Sequence, residues 1–307
     1  MLKRSDLSRR RNIFNCNIRW DQEYKYSYVK GPIISRDHVE LIYQAFLKGL
    51  RSIEISLDLG LSKSLIEIRG ENISIEGFEL SIGFLREYVE EGFLYKLIGG
   101  RIQRIDLYDN GRYYKLKPVG IDKAPTIEIN GIQMHRTVGV DPWKDSLLKV
   151  LSLGRLKGLR VLDICTGLGY TAINILRRGS GEVISIEADK NVLNIASMNP
   201  WSQDLEKVRI LLGDAVEVVS RIDDECFHAI LHDPPRINIA GELYSESFYK
   251  ELYRILSRGG RLFHYTGEPG RHSNISILKG IKRRLEKAGF TEVRWVDKAK
   301  GFLSIKP

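Results

Sequence analysis

The pattern of apolar and polar positions changes character near residue 140. Before that point, short alternating or β-branched runs separated by glycines predict the strands of an antiparallel sheet. Two of these runs meet at Asn110-Gly111, a pair that favours a tight hairpin turn, and 127–136 predicts a further pair of short strands. Apolar residues at helical spacing predict helices over 37–50 and 81–92. The first part of the chain is therefore expected to be a small α+β domain.

Beyond Asp141, near-continuous apolar runs alternate with helical patterns. The predicted strands are LRVLDIC, EVISIEAD, VRILLGD, HAILHD and GRLFHYTG. Helices are predicted from about 170 and over 190–198, 215–221, 245–257 and 275–288. This alternation indicates a mostly parallel sheet covered by helices on both faces. The last two runs, TEVRWVD and GFLSIKP, are expected to close it with antiparallel edge strands.

Length and charge refine this organisation. A chain of 307 residues is long enough for two domains, which we place at 1–130, with a basic arm at its start, and at 131–307. The formal net charge is +9, and the excess is spread over both halves. Two basic clusters, KRSDLSRRR at 3–11 and KGIKRRLEK at 279–287, favour a polyanionic partner, above all nucleic acid. A solvated surface without a partner is the alternative interpretation.

Several classes of protein are disfavoured by the same sequence. No apolar stretch approaches the length needed to span a bilayer, and no signal-peptide pattern follows the basic start, so we expect a cytoplasmic protein without a membrane partner. The cysteines Cys16, Cys165 and Cys226 lie far apart without metal-ligand spacing. We therefore expect reduced thiols and no metal. The sequence makes no prediction of oligomeric state.

An acidic residue ends each of four successive predicted strands. Asp163 comes before a glycine-rich turn, and Glu187, Asp214 and Asp233 end the next three strands. Carboxyl ends of parallel strands meet at one edge of the sheet, where open α/β folds bind their ligands. A glycine pair in such a turn fits any dinucleotide-binding protein, but the preceding acid is uncommon there. The spacing predicts a nucleoside-containing cofactor, whose ribose hydroxyls suit Glu187 and whose adenine amine suits Asp214.

The ordered set DICTGLGYT, IEAD, GDA and DPPR resembles class I S-adenosylmethionine-dependent methyltransferases, and within them a group of predicted archaeal methyltransferases. The resemblance covers about residues 131–307 and implies a doubly wound, mostly parallel, seven-stranded Rossmann-like sheet with S-adenosyl-L-methionine as cofactor. It implies that the methionine end is held by the first motif, the ribose by the second and the adenine by the third. The implied cofactor-binding residues are Asp163, Thr166, Gly167, Gly169, Tyr170, Thr171, Glu187, Ala188, Asp214, Ala215 and, from the segment before the first strand, His135.

The segment Asp233-Pro234-Pro235-Arg236 resembles the motif with which methyltransferases modify planar exocyclic amines. Such an amine is weakly nucleophilic because its lone pair is delocalised into the ring. Two acceptors, the Asp233 carboxylate and the Pro234 carbonyl, would orient its N–H bonds and aim the lone pair, and the prolines would fix that carbonyl. These four residues are the predicted catalytic segment. Arg236 stands where the motif usually has an aromatic side chain, and its guanidinium could stack on a base or meet a phosphate.

The leading prediction is an RNA methyltransferase that modifies a base amine of rRNA or tRNA, with cytidine N4 preferred and guanosine N2 next. The alternative is an aminopropyltransferase that uses decarboxylated S-adenosylmethionine, because residues 243–267 resemble the corresponding stretch of spermidine synthases. Arg236 and the basic surface disfavour a polycationic substrate. A third interpretation is a non-catalytic RNA-binding scaffold.

Overall fold

The computed structural model describes residues 16–267 and 274–307, which form two compact units. The first unit comprises the described parts of Met1–Tyr26, Asp145–Lys190 and Leu205–Pro307. The second comprises Ser27–Lys144 and Asn191–Asp204. The single predicted boundary at 130/131 therefore differs from the structural division, in which the segment before Ser27 joins the first unit and 131–144 joins the second.

The regular elements are numbered here in chain order over the described residues. The strands are β1 (Glu23–Tyr24), β2 (Ile33–Ser35), β3 (Ser52–Ile55), β4 (Ser64–Arg69), β5 (Asn72–Ile75), β6 (Phe78–Ser81), β7 (Leu94–Ile98), β8 (Arg101–Arg104), β9 (Asp106–Asp109), β10 (Arg112–Lys117), β11 (Thr126–Ile129), β12 (Ile132–Gln133), β13 (Arg160–Ile164), β14 (Glu182–Glu187), β15 (Arg209–Leu212), β16 (Phe227–His232), β17 (Leu256–Tyr265), β18 (Thr291–Val296) and β19 (Gly301–Ile305). The α-helices are α1 (Arg36–Leu47), α2 (Ile82–Tyr88), α3 (Pro142–Ser152), α4 (Tyr170–Arg177), α5 (Lys190–Ser197), α6 (Ala215–Ser220), α7 (Glu246–Ile255) and α8 (Asn274–Lys287).

The first unit is built on one eight-stranded sheet with the order β1-β15-β14-β13-β16-β17-β19-β18. The central neighbours from β15 to β17 pair in parallel, whereas β19 and β18 are antiparallel. All five residues of β13 are buried, which explains why its sequence is a continuous apolar run rather than an alternation. The predicted fold class is confirmed, with β1 as an eighth strand at the edge.

A large apolar core holds this unit together. Leu162 and Ile164 from β13 and Ile230 from β16 lie in it, fully buried, together with the apolar faces of α6 and α7. Each helix begins at a side chain that accepts backbone N–H groups: Asp214 caps α6 and Ser245 caps α7. Asp214 thus fixes where α6 begins after β15, and Ser245 fixes where α7 begins.

The second unit contains three small antiparallel sheets, β12-β11-β10-β9, β2-β7-β8 and β3-β4-β5-β6, with α1 and α2. The predicted hairpin is confirmed, because β9 and β10 pair on either side of Asn110-Gly111, both with positive φ. A separate apolar core includes Ile34, Ile42 and Ile66, none of which has exposed surface. The predicted α+β character of this part of the chain is confirmed.

The expectation of three reduced cysteines is wrong for two of them, because Cys16 and Cys226 form a disulfide. Residues 16–24 lie along the edge of the first unit, where Ile18 bridges Ile222 and β1 pairs with β15. The start of the chain, expected to be a basic arm, thus contributes a strand, while the basic cluster at 3–11 lies outside the described residues. No helix in the described part of the chain is long and apolar enough to cross a membrane.

Candidate active site at the carboxyl ends of the parallel strands

The strand order reverses between β13 and β16, and this switch point positions the site. The two strands pair in parallel, with Asp163 opposite Leu231 and Ile164 opposite His232. The backbone N–H of Asp233 continues the ladder by donating to the Ile164 carbonyl at 3.2 Å. Asp163 and Asp233 therefore lie on adjacent strands at the edge where open α/β sheets bind ligands.

A buried chain of hydroxyl groups holds the Asp163 carboxylate. Ser185 on β14 donates to Asp163 Oδ2 at 2.7 Å, and its oxygen lies 2.6 Å from that of Thr166. The second oxygen, Asp163 Oδ1, has no hydrogen-bond partner among the described residues although it is fully buried. Burial raises the pKa of Asp163 to about 7, with Ser185 and Thr171 hydrogen bonds opposing the shift and the charges of Asp233 and Glu187 adding to it. A buried carboxyl oxygen without a hydrogen-bond partner is suited to accept a hydrogen bond from a bound ligand.

The glycine-rich turn contains two glycines with positive φ, and one of them packs closely against a neighbouring side chain. Gly169 has a φ of +79°, and an added Cβ would lie 2.4 Å from the Leu205 side chain. Gly167, with a φ of +55°, has open space where a Cβ would be. Only glycine adopts these left-handed conformations without strain, so the pair defines the path from β13 into α4. At the start of α4, Tyr170 is buried.

Glu187 ties the second strand end to this turn. Its Oε2 accepts from the backbone N–H of Gly167 at 2.9 Å, and its Oε1 accepts from Asp189 at 3.0 Å. Burial raises its pKa, against the hydrogen bonds from the backbone. Each carboxylate oxygen has a second lone pair, so Glu187 can still accept two hydroxyl groups. Ala188, which follows it, is exposed.

Asp214 was predicted to contact an adenine, and in the structure its carboxylate caps a helix. Its Oδ1 accepts from the backbone N–H groups of Val216 and Glu217, at 2.8 and 3.3 Å, and so caps α6. The carboxylate is exposed at the end of β15, and Ala215 behind it is buried. Capping leaves Oδ2 outside these two bonds, and the predicted contact with an adenine amine stays a prediction.

Trp20 was not predicted to contribute here. Its indole packs against Gly213, where an added Cβ would lie 2.2 Å from the ring, and its Nε1 donates to the Leu212 carbonyl at 3.0 Å. The indole therefore stands beside the backbone that leads into Asp214. The sequence around Trp20 carried only a general signal, a tyrosine- and tryptophan-bearing stretch without periodicity.

The Asp233 carboxylate is paired with a buried lysine. Lys149 Nζ on α3 lies 2.7 Å from Asp233 Oδ2 and 3.1 Å from Asp145 Oδ2, and 3.7 Å from the centre of the Tyr265 ring. The Lys149 side chain is 2% exposed and that of Asp233 is 16% exposed. Burial opposes the ammonium charge, but the two carboxylates outweigh it and hold the pKa of Lys149 above its usual value. Lys149 therefore carries a positive charge next to the Asp233 carboxylate.

Sequence reasoning missed Lys149, although a signal was present. Asp145 and Lys149 are four residues apart on the helical stripe that also carries Ser146, Val150 and Leu153, and all five are buried. An acid and a base on the buried side of a helix are rare unless they are paired. That placement, rather than any motif, marks the pair as a candidate.

The two prolines are held on their far side. Pro234 is buried, and the Pro235 carbonyl accepts from the Tyr244 hydroxyl at 2.8 Å. Arg236 is exposed, and its carbonyl accepts from the Ile239 N–H at 2.8 Å, which starts a turn. The segment is rigid up to Pro235 and then projects a guanidinium away from the core.

A buried aromatic cluster supports this segment from behind. His232 stacks on His264 with ring centres 4.5 Å apart, and Tyr249 shares a 2.9 Å hydrogen bond with His264 Nε2. Phe248 meets His232 edge-on. Burial, and then the neighbouring His264, lowers the pKa of His232, so the ring is neutral and serves as packing.

His135 belongs to the second unit, where its Nδ1 lies 2.9 Å from the Thr126 hydroxyl. Its proposed contact with the cofactor therefore stays a prediction.

No group of three or more potential metal ligands occurs in the part of the chain that the structure describes.

Comparison with known proteins is consistent with this geometry. A family model described as a methyltransferase domain matches residues 161–260, which contain all four acid-ended strands. With the sheet order, the match defines a class I S-adenosylmethionine-dependent methyltransferase domain, and it supports S-adenosylmethionine as the cofactor. The unpaired Asp163 oxygen fits the amino group of this cofactor, and the remaining lone pairs of Glu187 fit its ribose hydroxyls. The open space beside Gly167 leaves room for the cofactor to approach the backbone.

Within that class, the chain belongs to the family of the uncharacterized protein MJ1233 of Methanocaldococcus jannaschii. The two are 45% identical over 267 residues, which cover 84% of this chain and 91% of the relative. The chain is also similar to a polyamine aminopropyltransferase of Clostridioides difficile, 27% identical over 192 residues, 61% of this chain and 64% of that protein. Among solved structures, a spermidine synthase in complex with the transition-state analogue AdoDATO matches with a TM-score of 0.52, at 19% identity over 70% of this chain and 76% of that chain. This last likeness concerns the fold alone.

Proposed function

We propose that the protein transfers a methyl group from S-adenosylmethionine to an exocyclic amine of an RNA base. The observation that carries the proposal is the Asp233 carboxylate, held by Lys149 at 2.7 Å directly beside the Asp163 strand end. When bound, the cofactor supplies an electrophilic methyl group. The remaining chemistry is the work of this chain.

Asp233 would act first by orientation. A carboxylate paired with an ammonium stays ionised, and an ionised carboxylate accepts hydrogen bonds but does not donate them. It would accept one N–H bond of the amine while the Pro234 carbonyl accepts the other, and so direct the nitrogen lone pair. The same carboxylate can take the proton that the nitrogen sheds after transfer.

The preference for a planar base amine rests on the Asp-Pro-Pro-Arg segment. A planar amine needs two fixed acceptors because its N–H bonds lie in the plane of the ring. The buried Pro234 and the Tyr244 bond to Pro235 provide the rigidity for a fixed carbonyl. Arg236 is exposed next to them, where a guanidinium can stack on a base or bind a phosphate. Cytidine N4 is our first choice of amine and guanosine N2 the second.

The choice of RNA rests on surface charge. On α8, Lys279, Lys282 and Arg283 are exposed, and the overall net charge is +9. Phosphate contacts from such residues supply affinity without sequence specificity. Ribosomal or transfer RNA in the cytoplasm is the substrate that we propose.

The test is to incubate the protein with methyl-labelled cofactor and total RNA, digest the RNA and identify the labelled nucleoside. Label is expected in N4-methylcytidine or in N2-methylguanosine. Asp233→Asn should lose transfer by at least about a hundredfold, as for removal of a catalytic polar group, while it still binds cofactor. Asp224→Asn changes an exposed carboxylate in the same unit and should leave transfer intact. Label in small molecules but not in nucleosides would refute the proposal.

A second candidate is aminopropyl transfer. The similarity to the polyamine aminopropyltransferase extends over 192 residues, well beyond the 100 residues of the matched methyltransferase domain. The ammonium of Lys149 beside Asp233 disfavours a polyamine there, because two cations would compete for one carboxylate. Binding of the two cofactor forms by calorimetry separates the candidates: tighter binding of the decarboxylated form, with product formed from a diamine, would favour aminopropyl transfer.

A further inference from the structure

A second cleft lies at the opposite edge of the same sheet. It has a volume of about 460 Å³ and opens at the amino ends of β13, β16 and β17, where Leu159, His228 and Arg261 line it. Asp233 follows the carboxyl end of β16, so the six residues of that strand separate the two places by about 20 Å. The cleft is therefore distinct from the candidate active site.

The charge of this cleft is strongly positive. Arg155, Lys157, Arg258 and Arg261 all line it, and none of the described lining residues is acidic. Arg155, Lys157 and Arg258 are exposed. The nearest carboxylate recorded for Arg258 is that of Glu225, at 3.9 Å and itself half exposed, which is a weak pair. Such a concentration of unneutralised cations attracts anions.

Backbone hydrogen bonds hold the segment that lines the cleft in a defined conformation. The ladder between β16 and β17 skips from Phe227–Leu256 to Ala229–Arg261, so residues 257–260 bulge out of the sheet. Gly259 donates to the Lys306 carbonyl at 2.8 Å, and Lys306 donates to Gly260 at 3.0 Å. Gly259 has a φ of +73° and open space where a Cβ would be, so a ligand can approach its backbone closely.

Arg261 forms the fixed wall. Its Nη2 donates to the Arg155 carbonyl at 2.8 Å, which ties the two cationic segments together. Guanidinium groups match phosphate oxygens with paired hydrogen bonds. No tyrosine, tryptophan or phenylalanine is among the described lining residues, so positive charge is the main feature that the cleft offers to a ligand. These features select the phosphate part of a nucleic acid rather than its bases.

We propose that this cleft binds the phosphodiester backbone of the RNA whose base amine reaches Asp233; the identity of the polymer rests on the proposed function. A separation of about 20 Å corresponds to about six nucleotides of a stacked strand. The path over the protein surface is longer than this distance through the sheet, so a mononucleotide cannot reach both places, whereas a strand of more than about six nucleotides can. The cleft thus acts as a second grip that sets how the RNA lies across the sheet.

The test measures RNA affinity by fluorescence anisotropy, without cofactor, on the full chain. Arg155→Ser/Arg258→Ser removes two exposed cations of the cleft. Lys250→Ser/Arg294→Ser removes two exposed cations elsewhere in the same unit, outside the cleft and outside α8, and serves as the control. A single-stranded RNA of about 12 nucleotides spans the distance, and affinity is followed from low to high salt.

Two lost phosphate contacts should reduce the slope of log affinity against log salt by about 1.4, and affinity at 0.1 M salt by roughly 25-fold. The control pair should change the slope by less than half as much. Equal effects of the two pairs, or an unchanged slope in the cleft variant, would overturn the proposal. So would competition by inorganic phosphate or AMP as effective, per phosphate, as that of the RNA, because the cleft would then be a site for a free anion.

This experiment is independent of methyl transfer. Asp233→Asn should keep the full affinity and the full slope, because it leaves the cleft unchanged. If no RNA base is methylated but the cleft variant still shows the reduced slope, the proposed reaction fails and the RNA site stands.

Discussion

Replacing Lys149 by methionine tests the charge arrangement at the heart of the site. The ammonium lies 2.7 Å from Asp233 and 3.1 Å from Asp145, so the two carboxylate oxygens are less than about 6 Å apart. Two negative charges at that distance repel by about 3 kcal/mol at an effective dielectric constant of about 20, equivalent to about 2 pKa units. Methionine keeps the length of the side chain but removes the charge that offsets this repulsion.

The variant should lose about 3–5 kcal/mol in the free energy of unfolding at pH 7, the usual cost of breaking a buried ion pair. Without the lysine, the folded-state pKa of the acid pair rises above its unfolded value. The variant is then favoured at low pH, where the pair binds protons, and loses stability as pH rises toward 7. Urea unfolding at about pH 5 and pH 7 should therefore show a smaller deficit at the lower pH.

Two further variants make this prediction sharp. Asp145→Asn combined with Lys149→Met should recover part of the stability at pH 7, because one of the two repelling charges is gone. Lys144→Met, an exposed lysine on the same helix, should change stability by less than about 0.5 kcal/mol. A loss below about 1 kcal/mol for Lys149→Met, or a loss that does not depend on pH, would refute the reasoning.

The remaining predictions concern Asp163, the glycine-rich turn and the disulfide. Because burial raises the pKa of Asp163 to about 7, its carboxyl gains a proton below that pH and can no longer accept from a cationic amino group; cofactor affinity by calorimetry should fall up to about tenfold per pH unit below 7. Gly169→Ala should lower the free energy of unfolding by more than about 1 kcal/mol, because its Cβ would lie 2.4 Å from Leu205 at a φ of +79°. Reducing the Cys16–Cys226 disulfide, which joins positions 210 residues apart, should cost about 2–5 kcal/mol and lower the melting temperature.

Each of these has a matched control. Asp163→Asn should flatten the pH dependence of cofactor affinity, and an unchanged slope would assign the titration to another group. Gly167→Ala has room for its Cβ and should cost less than the Gly169 change; the reverse order would contradict the packing argument. In Cys165→Ser, which keeps the disulfide, reductant should still lower the melting temperature as it does in the unaltered protein.

Local pattern was enough to predict the elements of the sheet and the edge that carries the acids. Strands β13, β14 and β16 are buried along most of their length, so their apolar runs stand out without knowledge of their partners. The predicted acids then lie together because parallel strands end at one edge. Asp163 lies on β13 next to β16, which Asp233 follows, and Glu187 accepts from the N–H of Gly167 in the turn after β13, so the three acids lie close to one another.

The missed features depend on contacts distant in the chain. The disulfide joins residues 210 positions apart, a distance that cysteine spacing does not encode. Strand β1 has two residues, too few to show a period, and takes its conformation from β15. Lys149 was not predicted as a site residue, because its acid partner Asp233 lies 84 residues away in the chain. In each case the partner, rather than the local sequence, determines the structure.

The charges at the two edges of the first unit's sheet connect the proposals. Asp233 follows strand β16 and Asp163 lies near the carboxyl end of β13, whereas Arg155, Arg258 and Arg261 lie at the opposite edge of the same sheet. A polycation would compete with Lys149 for Asp233 at the acidic edge and would be repelled from the basic edge, so neither edge favours a polyamine. A nucleic acid strand uses both, because its phosphates suit the cations while its base amine, a neutral donor, suits a carboxylate already neutralised by Lys149. The lysine beside Asp233 and the cations opposite it therefore favour the same substrate class.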